Sequence, residues 1–174
     1  MRRIFLDSKT IKKIAKNRDI LEKELKVKIV EGKNFIDISG EGLTEYASSQ
    51  VVEAINLGFD IQISLLLKEE DYILQKIHIK DYIGKSSQRL NQVKARIIGK
   101  QGKAIQNISQ LSNCAIQLHD STVGIIGRAE NIEKILNGVI SLIRGSEHSN
   151  VYSKLEKISH EEEADLGLKE KMPQ

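Results

Sequence analysis

Arg96-Ile-Ile-Gly-Lys-Gln-Gly-Lys-Ala-Ile105 places two glycines three residues apart between apolar flanks, with a lysine directly after each. Gly99 and Gly102 lack side chains, so the chain can turn tightly there and a phosphate backbone can come close. A helix opening after the second glycine aims free backbone amides at an anion. Lys100 and Lys103 add positive charge, and Arg96 lies within one turn upstream. A bare G-x-x-G spacing has a second reading, a helix corner whose glycines serve geometry alone.

The surroundings favour an anion. Residues 76–103 carry eight Lys/Arg against one Asp/Glu, although the whole chain is only +3. Residues 1–30 are also basic, with ten against four, while residues 31–75 are acidic, with two against nine. A basic segment centred on a glycine loop suits a polyanion surface.

The loop sits in the second copy of an internal repeat with a period of 87 residues. Ile36-Asp-Ile-Ser-Gly40 matches Val123-Gly-Ile-Ile-Gly127, and Gly58 matches Gly145. In the second copy, Ile132, Ile135, Leu136, Val139, Ile140 and Ile143 mark one face of a helix that Gly145 ends. Ala115–Leu118 and Thr122–Ile126 read as a hairpin turning at His119-Asp-Ser121, and Lys26–Val30 with Asn34–Ile38 as its counterpart. Helical signal precedes each hairpin, over Thr10–Leu25 and Gln88–Leu111. A strand-like stretch precedes each of those, at Arg2–Leu6 and Gln75–Ile79. The order in each copy is strand, helix, helix, strand, strand, helix. It predicts an α+β fold in which each copy is a three-stranded antiparallel sheet with three helices on one face. Ile61–Leu67 reads as a short linker helix.

Composition excludes other classes. The chain has 174 residues, of which 40% are hydrophobic and 29% charged, so disorder throughout is excluded. No apolar run approaches the ~18 residues of a membrane span. Asp7 interrupts the basic start before a signal-peptide core forms, so a soluble, cytoplasmic protein is expected. Cys114 is the only cysteine and reads as a small core residue; no disulfide and no cysteine-rich zinc site follows. His78, His119, His148 and His160 lack metal-ligand spacing, so neither a metal nor a cofactor is expected. With no nucleophile motif and no G-x-x-x-x-G-K-[S/T] loop, an enzyme is not expected.

Ile-Ile-Gly-Lys-x-Gly followed by Ile105, Ile108 and a strand at Ile116 resembles the KH domain, and the element order is that of its eukaryotic type (type I). The resemblance implies that the loop clamps about four backbone nucleotides while bases lie in a neighbouring apolar groove. It implies RNA contacts at Arg96, Ile98, Gly99, Lys100, Gln101, Gly102 and Lys103. On the following strand it implies Ile116, Gln117, Leu118 and His119. Ile105 lines the groove or packs in the core; His119 contacts bases or merely serves the turn. In the first copy, Ala15-Lys-Asn-Arg18 replaces the two glycines, so that copy is a degenerate KH whose face packs on its neighbour or binds protein. Its basic helix, with Lys9, Lys12, Lys13, Lys16 and Arg18, adds diffuse RNA affinity.

A degenerate KH followed by one with the glycine loop resembles the Dim-two family, also called partner of Nob-one. Ile77-His-Ile-Lys-Asp-Tyr82, Arg144-Gly-Ser146 and Val151-Tyr152 carry the likeness, as does Leu65-Leu-Leu67 in the linker. The chain lacks the long acidic N-terminal extension of eukaryotic members and is more similar to archaeal ones. The organisation expected is residues 1–72 for the first KH and linker, 73–153 for the second, and 154–174 for a charged tail. The family resemblance implies a ribosome biogenesis factor that holds the 3′ region of small-subunit rRNA. It implies as partners a Nob-one-type endonuclease, an rRNA dimethylase or the alpha subunit of translation initiation factor two. The alternative is a general RNA adaptor in decay or translation.

Overall fold

The computed structural model describes residues 1–165, with side chains as far as residue 157. In chain order the first half runs β1 (Arg2–Phe5), α1 (Ser8–Lys16), α2 (Arg18–Leu25), β2 (Lys28–Glu31), β3 (Phe35–Ser39) and α3 (Gly42–Asn56). A connection follows through α4 (Ile61–Leu65) and a 3-10 turn, Leu66–Lys68. The second half runs β4 (Tyr72–His78), α5 (Lys80–Ile83), α6 (Ser87–Ile98), α7 (Lys103–Ser112), β5 (Ala115–His119), β6 (Thr122–Arg128), α8 (Ala129–Arg144) and α9 (His148–Asp165). Both sheets are antiparallel, ordered β1-β3-β2 and β4-β6-β5. The architecture is α+β, two type I KH arrangements in tandem.

Local sequence accounts for the elements. Asp7 caps α1, its carboxylate accepting the Thr10 amide at 2.6 Å. Helix α1 buries Thr10, Ile11 and Ile14 and leaves Lys9, Lys12 and Lys16 exposed. Gly145 ends α8 in the left-handed region (φ +108°), as the sequence predicts. Strand β3 alternates: Ile36 and Ile38 are fully buried, and Asp37 on the other face accepts two bonds of 2.8 Å from Arg3.

Strand β6 does not alternate, because both its faces are covered. Val123 and Ile125 belong to the core under the helices of the second half, while Ile126 joins the core of the first. A strand buried on both sides reads as a continuous apolar run. At Gly124 an added Cβ would lie 2.9 Å from the Phe59 ring and 3.0 Å from Leu57, so that glycine lets the first half settle on the sheet. Tyr72, Leu74 and Ala115 pack against the same cluster. Lys13 donates to the Phe59 carbonyl at 2.8 Å, and Lys76 pairs with Glu53 across the halves. The first copy thus packs on its neighbour, through α3 and the connection.

Three features differ from expectation. Strand β4 begins at Tyr72, so the boundary expected at 72/73 falls within it. The single turn α5 follows, where a continued strand was expected at Ile79. Helix α9 runs through the boundary expected at 153/154 and sends Val151 and Leu155 into the second core. Gly138 admits it, since an added Cβ would meet Val151 Cγ1 at 3.1 Å. The charged tail expected over residues 154–174 is helical as far as Asp165; residues 166–174 and the side chains from residue 158 onward lie outside what is described. Among the described residues no helix is long and apolar enough to cross a membrane.

Candidate nucleic-acid interface

The loop between α6 and α7 is built from left-handed backbone. Gly99 (φ +73°), Gln101 (φ +55°) and Gly102 (φ +75°) all lie there, around a 3-10 turn over Lys100–Gly102. The two glycines do different work. A Cβ on Gly99 would lie 2.8 Å from the amide nitrogen of Ala104 and closer still to its Cβ, so Gly99 lets α7 pack against the end of α6. A Cβ on Gly102 would meet nothing within 4 Å. That position is open to solvent, at the head of α7, and no side chain caps the helix. The Lys103 amide donates to the Lys100 carbonyl, and the amides that follow it in the first turn of α7 meet no capping side chain. Lys100, Gln101 and Lys103 are exposed, and neither lysine is held in an ion pair among the described residues.

The first copy lacks this construction. Helices α1 and α2 meet at the single residue Asn17 (φ −114°), whose side chain donates to the Lys13 carbonyl at 2.8 Å. No residue of Ala15–Arg18 is left-handed. Arg18 is drawn to Glu22 at 3.2 Å.

The remaining expected contacts divide. Ile98 is 38% exposed at the end of α6. Ile105 is half-buried against the second core. Ile116, expected in the groove, is a core residue only 9% exposed, and Leu118 packs on the same core. Strand alternation explains this: Ile116 and Leu118 pair with Ile125 and Val123, the inward residues of β6. Gln117 and His119 pair with Gly124 and Thr122 and so project from the opposite face, towards the first half. His119 Nε2 lies 3.6 Å from the Asp120 carboxylate in the hairpin turn. Arg96 points away from the loop. Its guanidinium donates to the Leu142 carbonyl at 3.2 Å, capping α8, and its own carbonyl contacts His148 Nε2 at 2.8 Å. Only Gly145 hints at this in the sequence, by marking where α8 ends. Sequence reasoning passed over Ala104, whose small side chain fits beneath Gly99.

Cys114 is buried against Gly127, and burial pushes its thiol up; it is an inert core residue. Among the described residues no three His, Cys, Asp or Glu gather as a metal site.

Residues 73–160 match the model for the second KH domain of PNO1, a eukaryotic type KH-domain (KH-domain type I). The chain belongs to the PNO1/Dim2 family of KH-domain proteins. It is 32% identical to a KH domain-containing protein of Methanocaldococcus jannaschii over 79% of this chain and 63% of that one. It is 30% identical to the pre-rRNA-processing protein PNO1 of Debaryomyces hansenii over 78% of this chain and 53% of that one. The chain thus spans less than two thirds of these curated relatives. Among solved structures it resembles Dim2p of Pyrococcus horikoshii, with a TM-score of 0.81 and 28% identity over 90% of this chain and 98% of that one. It also resembles a chain of the a/eIF2alpha–aDim2p–rRNA complex from the same organism, with a TM-score of 0.82 and 26% identity over 92% and 94%.

Proposed function

We propose that this PNO1/Dim2-family chain is a non-enzymatic, single-stranded RNA-binding protein of small-subunit ribosome assembly. It holds the 3′ region of the small-subunit rRNA at the Gly99–Gly102 loop. The observation that carries this reading is the open face of Gly102 at the head of an uncapped helix, flanked by Lys100 and Lys103. Backbone amides and two lysines take the phosphates, and Gly102 permits close approach. Ile98 offers an apolar surface to a base. The carboxylates with shifted pKa are occupied in caps and ion pairs of the first half, such as Asp7 and Asp37. No acid–base pair gathers at the loop, which supports binding without catalysis.

Relatives named for pre-rRNA processing and for an rRNA complex support the choice of RNA. The complex with a/eIF2alpha supports the alpha subunit of initiation factor two as a protein partner. A Nob-one-type endonuclease and an rRNA dimethylase are proposed on family resemblance alone.

The test is fluorescence anisotropy with an oligonucleotide from the 3′ end of small-subunit rRNA against a scrambled one. Wild type is compared with the Lys100→Asp, Gln101→Asp double variant. The expected result is a preference for the rRNA sequence that the double variant loses. Equal binding of both oligonucleotides by wild type favours a general RNA adaptor. Undiminished binding by the folded double variant contradicts the loop assignment.

A further inference from the structure

We infer that a groove formed by α3, the connection and the start of β4 docks a basic amphipathic helix of a protein partner. None of its lining residues belongs to the Gly99–Gly102 loop or the two helices around it, so the inference stands apart from the role proposed for that loop. Helix α3 has two faces. One buries Val51, Val52, Ala54 and Ile55 in the first core. The other carries Leu43, Tyr46, Ala47 and Gln50, at the i, i+3, i+4, i+7 spacing of a helical stripe. That second stripe lines a groove of about 670 Å³, together with Leu67 of the connection and Ile73 and Leu74 of β4. Leu43 is 88% exposed, Tyr46 59% and Ile73 38%. A smaller recess shares Glu24, Lys68 and Glu69 with the groove and adds Ile20 and Leu66, which are also exposed. Five large exposed hydrophobic side chains thus share one continuous surface. Clustering of that kind marks an interaction site, whereas single exposed residues do not.

Charge selects the partner. Glu24, Glu69 and Glu70 line the groove against Lys26 and Lys68, and Lys68 is engaged with Glu24 at 2.6 Å. The side chains of Glu69 and Glu70 are exposed and make no hydrogen bond or ion pair among the described residues. They repel phosphate, so neither RNA nor an anionic membrane suits the surface, and they attract lysine or arginine. The Arg2 guanidinium lies over the Tyr46 ring, 6.0 Å from its centre, so the face of that ring accepts a cation. The stripe on α3 selects a helix. Its side chains interlock with those of a second helix that carries apolar residues at the same spacing. Basic residues beside those anchors then meet Glu69 and Glu70.

The probe is a fluorescein-labelled helical peptide of about eighteen residues, or about five turns, with leucines at i, i+3, i+4 and i+7 and lysines beside them. A matched peptide carries glutamates in place of the lysines. Anisotropy is read with the full chain as wild type, as a Leu43→Ser, Tyr46→Ser variant and as a Glu69→Lys, Glu70→Lys variant. All four residues are exposed, and circular dichroism checks that both variants fold. Wild type is expected to bind the lysine peptide at least about tenfold more tightly than the glutamate peptide. The Leu43→Ser, Tyr46→Ser variant should lose at least about tenfold in affinity for the lysine peptide, and the Glu69→Lys, Glu70→Lys variant should reverse the preference. The Leu43→Ser, Tyr46→Ser variant should hold the rRNA 3′-end oligonucleotide as wild type does, which separates this surface from the loop. A wild type that binds neither peptide, or both alike, overturns the inference, as does undiminished binding of the lysine peptide by both folded variants. Light scattering tests the other occupant. A wild-type dimer that the Leu43→Ser, Tyr46→Ser variant loses would give the groove to a second copy of this chain and overturn the inference as well.

Discussion

Gly99 and Gly102 stand three residues apart and answer to different demands. Gly99→Ala forces a left-handed alanine against the Ala104 backbone and is expected to cost about 2–4 kcal/mol, from strain and overpacking together. Gly102→Asp enters open space and is expected to cost about 1 kcal/mol, since Asp tolerates this conformation, while abolishing tight RNA binding. Urea unfolding beside anisotropy separates the two; equal loss of stability contradicts the division. Arg96 reverses its expected role. Arg96→Ala should lower stability by about 1–2 kcal/mol through the lost bond to the Leu142 carbonyl and leave affinity for a short strand nearly intact. A large affinity loss at unchanged stability would return Arg96 to the RNA.

Among the elements, α9 differs most from expectation. Leu155→Ala is expected to destabilise the protein by about 2–5 kcal/mol, because its side chain lies in the second core; a denaturation midpoint like wild type would contradict that packing. The helix was hard to read because Val151, Tyr152 and Leu155 are sparse among charged residues, and Gly138, which admits it, lies far upstream on α8. The repeat was easier. Paired glycines and a β-hairpin pattern recur at one spacing, so two sheets of one topology were legible. The loop was also legible, since Gly99 and Gly102 are local signals. The facing of Arg96, Ile116, Gln117 and His119 was not, since it depends on α8 and on the first half. Those partners lie distant in sequence.

At the scale of the molecule, the second sheet is held between its own helices and the first half. Nothing local in Val123-Gly-Ile-Ile-Gly127 says which half covers Ile126. Acid should also loosen the first half before the second. Asp7 is held below the usual carboxylate range by the Thr10 amide, Glu22 by the Ile29 amide, and Asp37 by the Arg3 guanidinium. A depressed folded pKa contributes stability above the unfolded value, near 4, that is lost as pH falls through the folded one. All three groups lie in the first half. Between pH 6 and pH 3 protection against hydrogen exchange should therefore be lost in β3 before β6. Simultaneous loss of protection would contradict this.

The most direct test of the central claim is an amide chemical-shift titration of the full chain with a short single-stranded rRNA 3′-end oligonucleotide. The largest shifts should fall on Gly99 to Ala104, with Asn17 and Arg18 unmoved. Saturable binding with the loop amides unmoved would contradict the account.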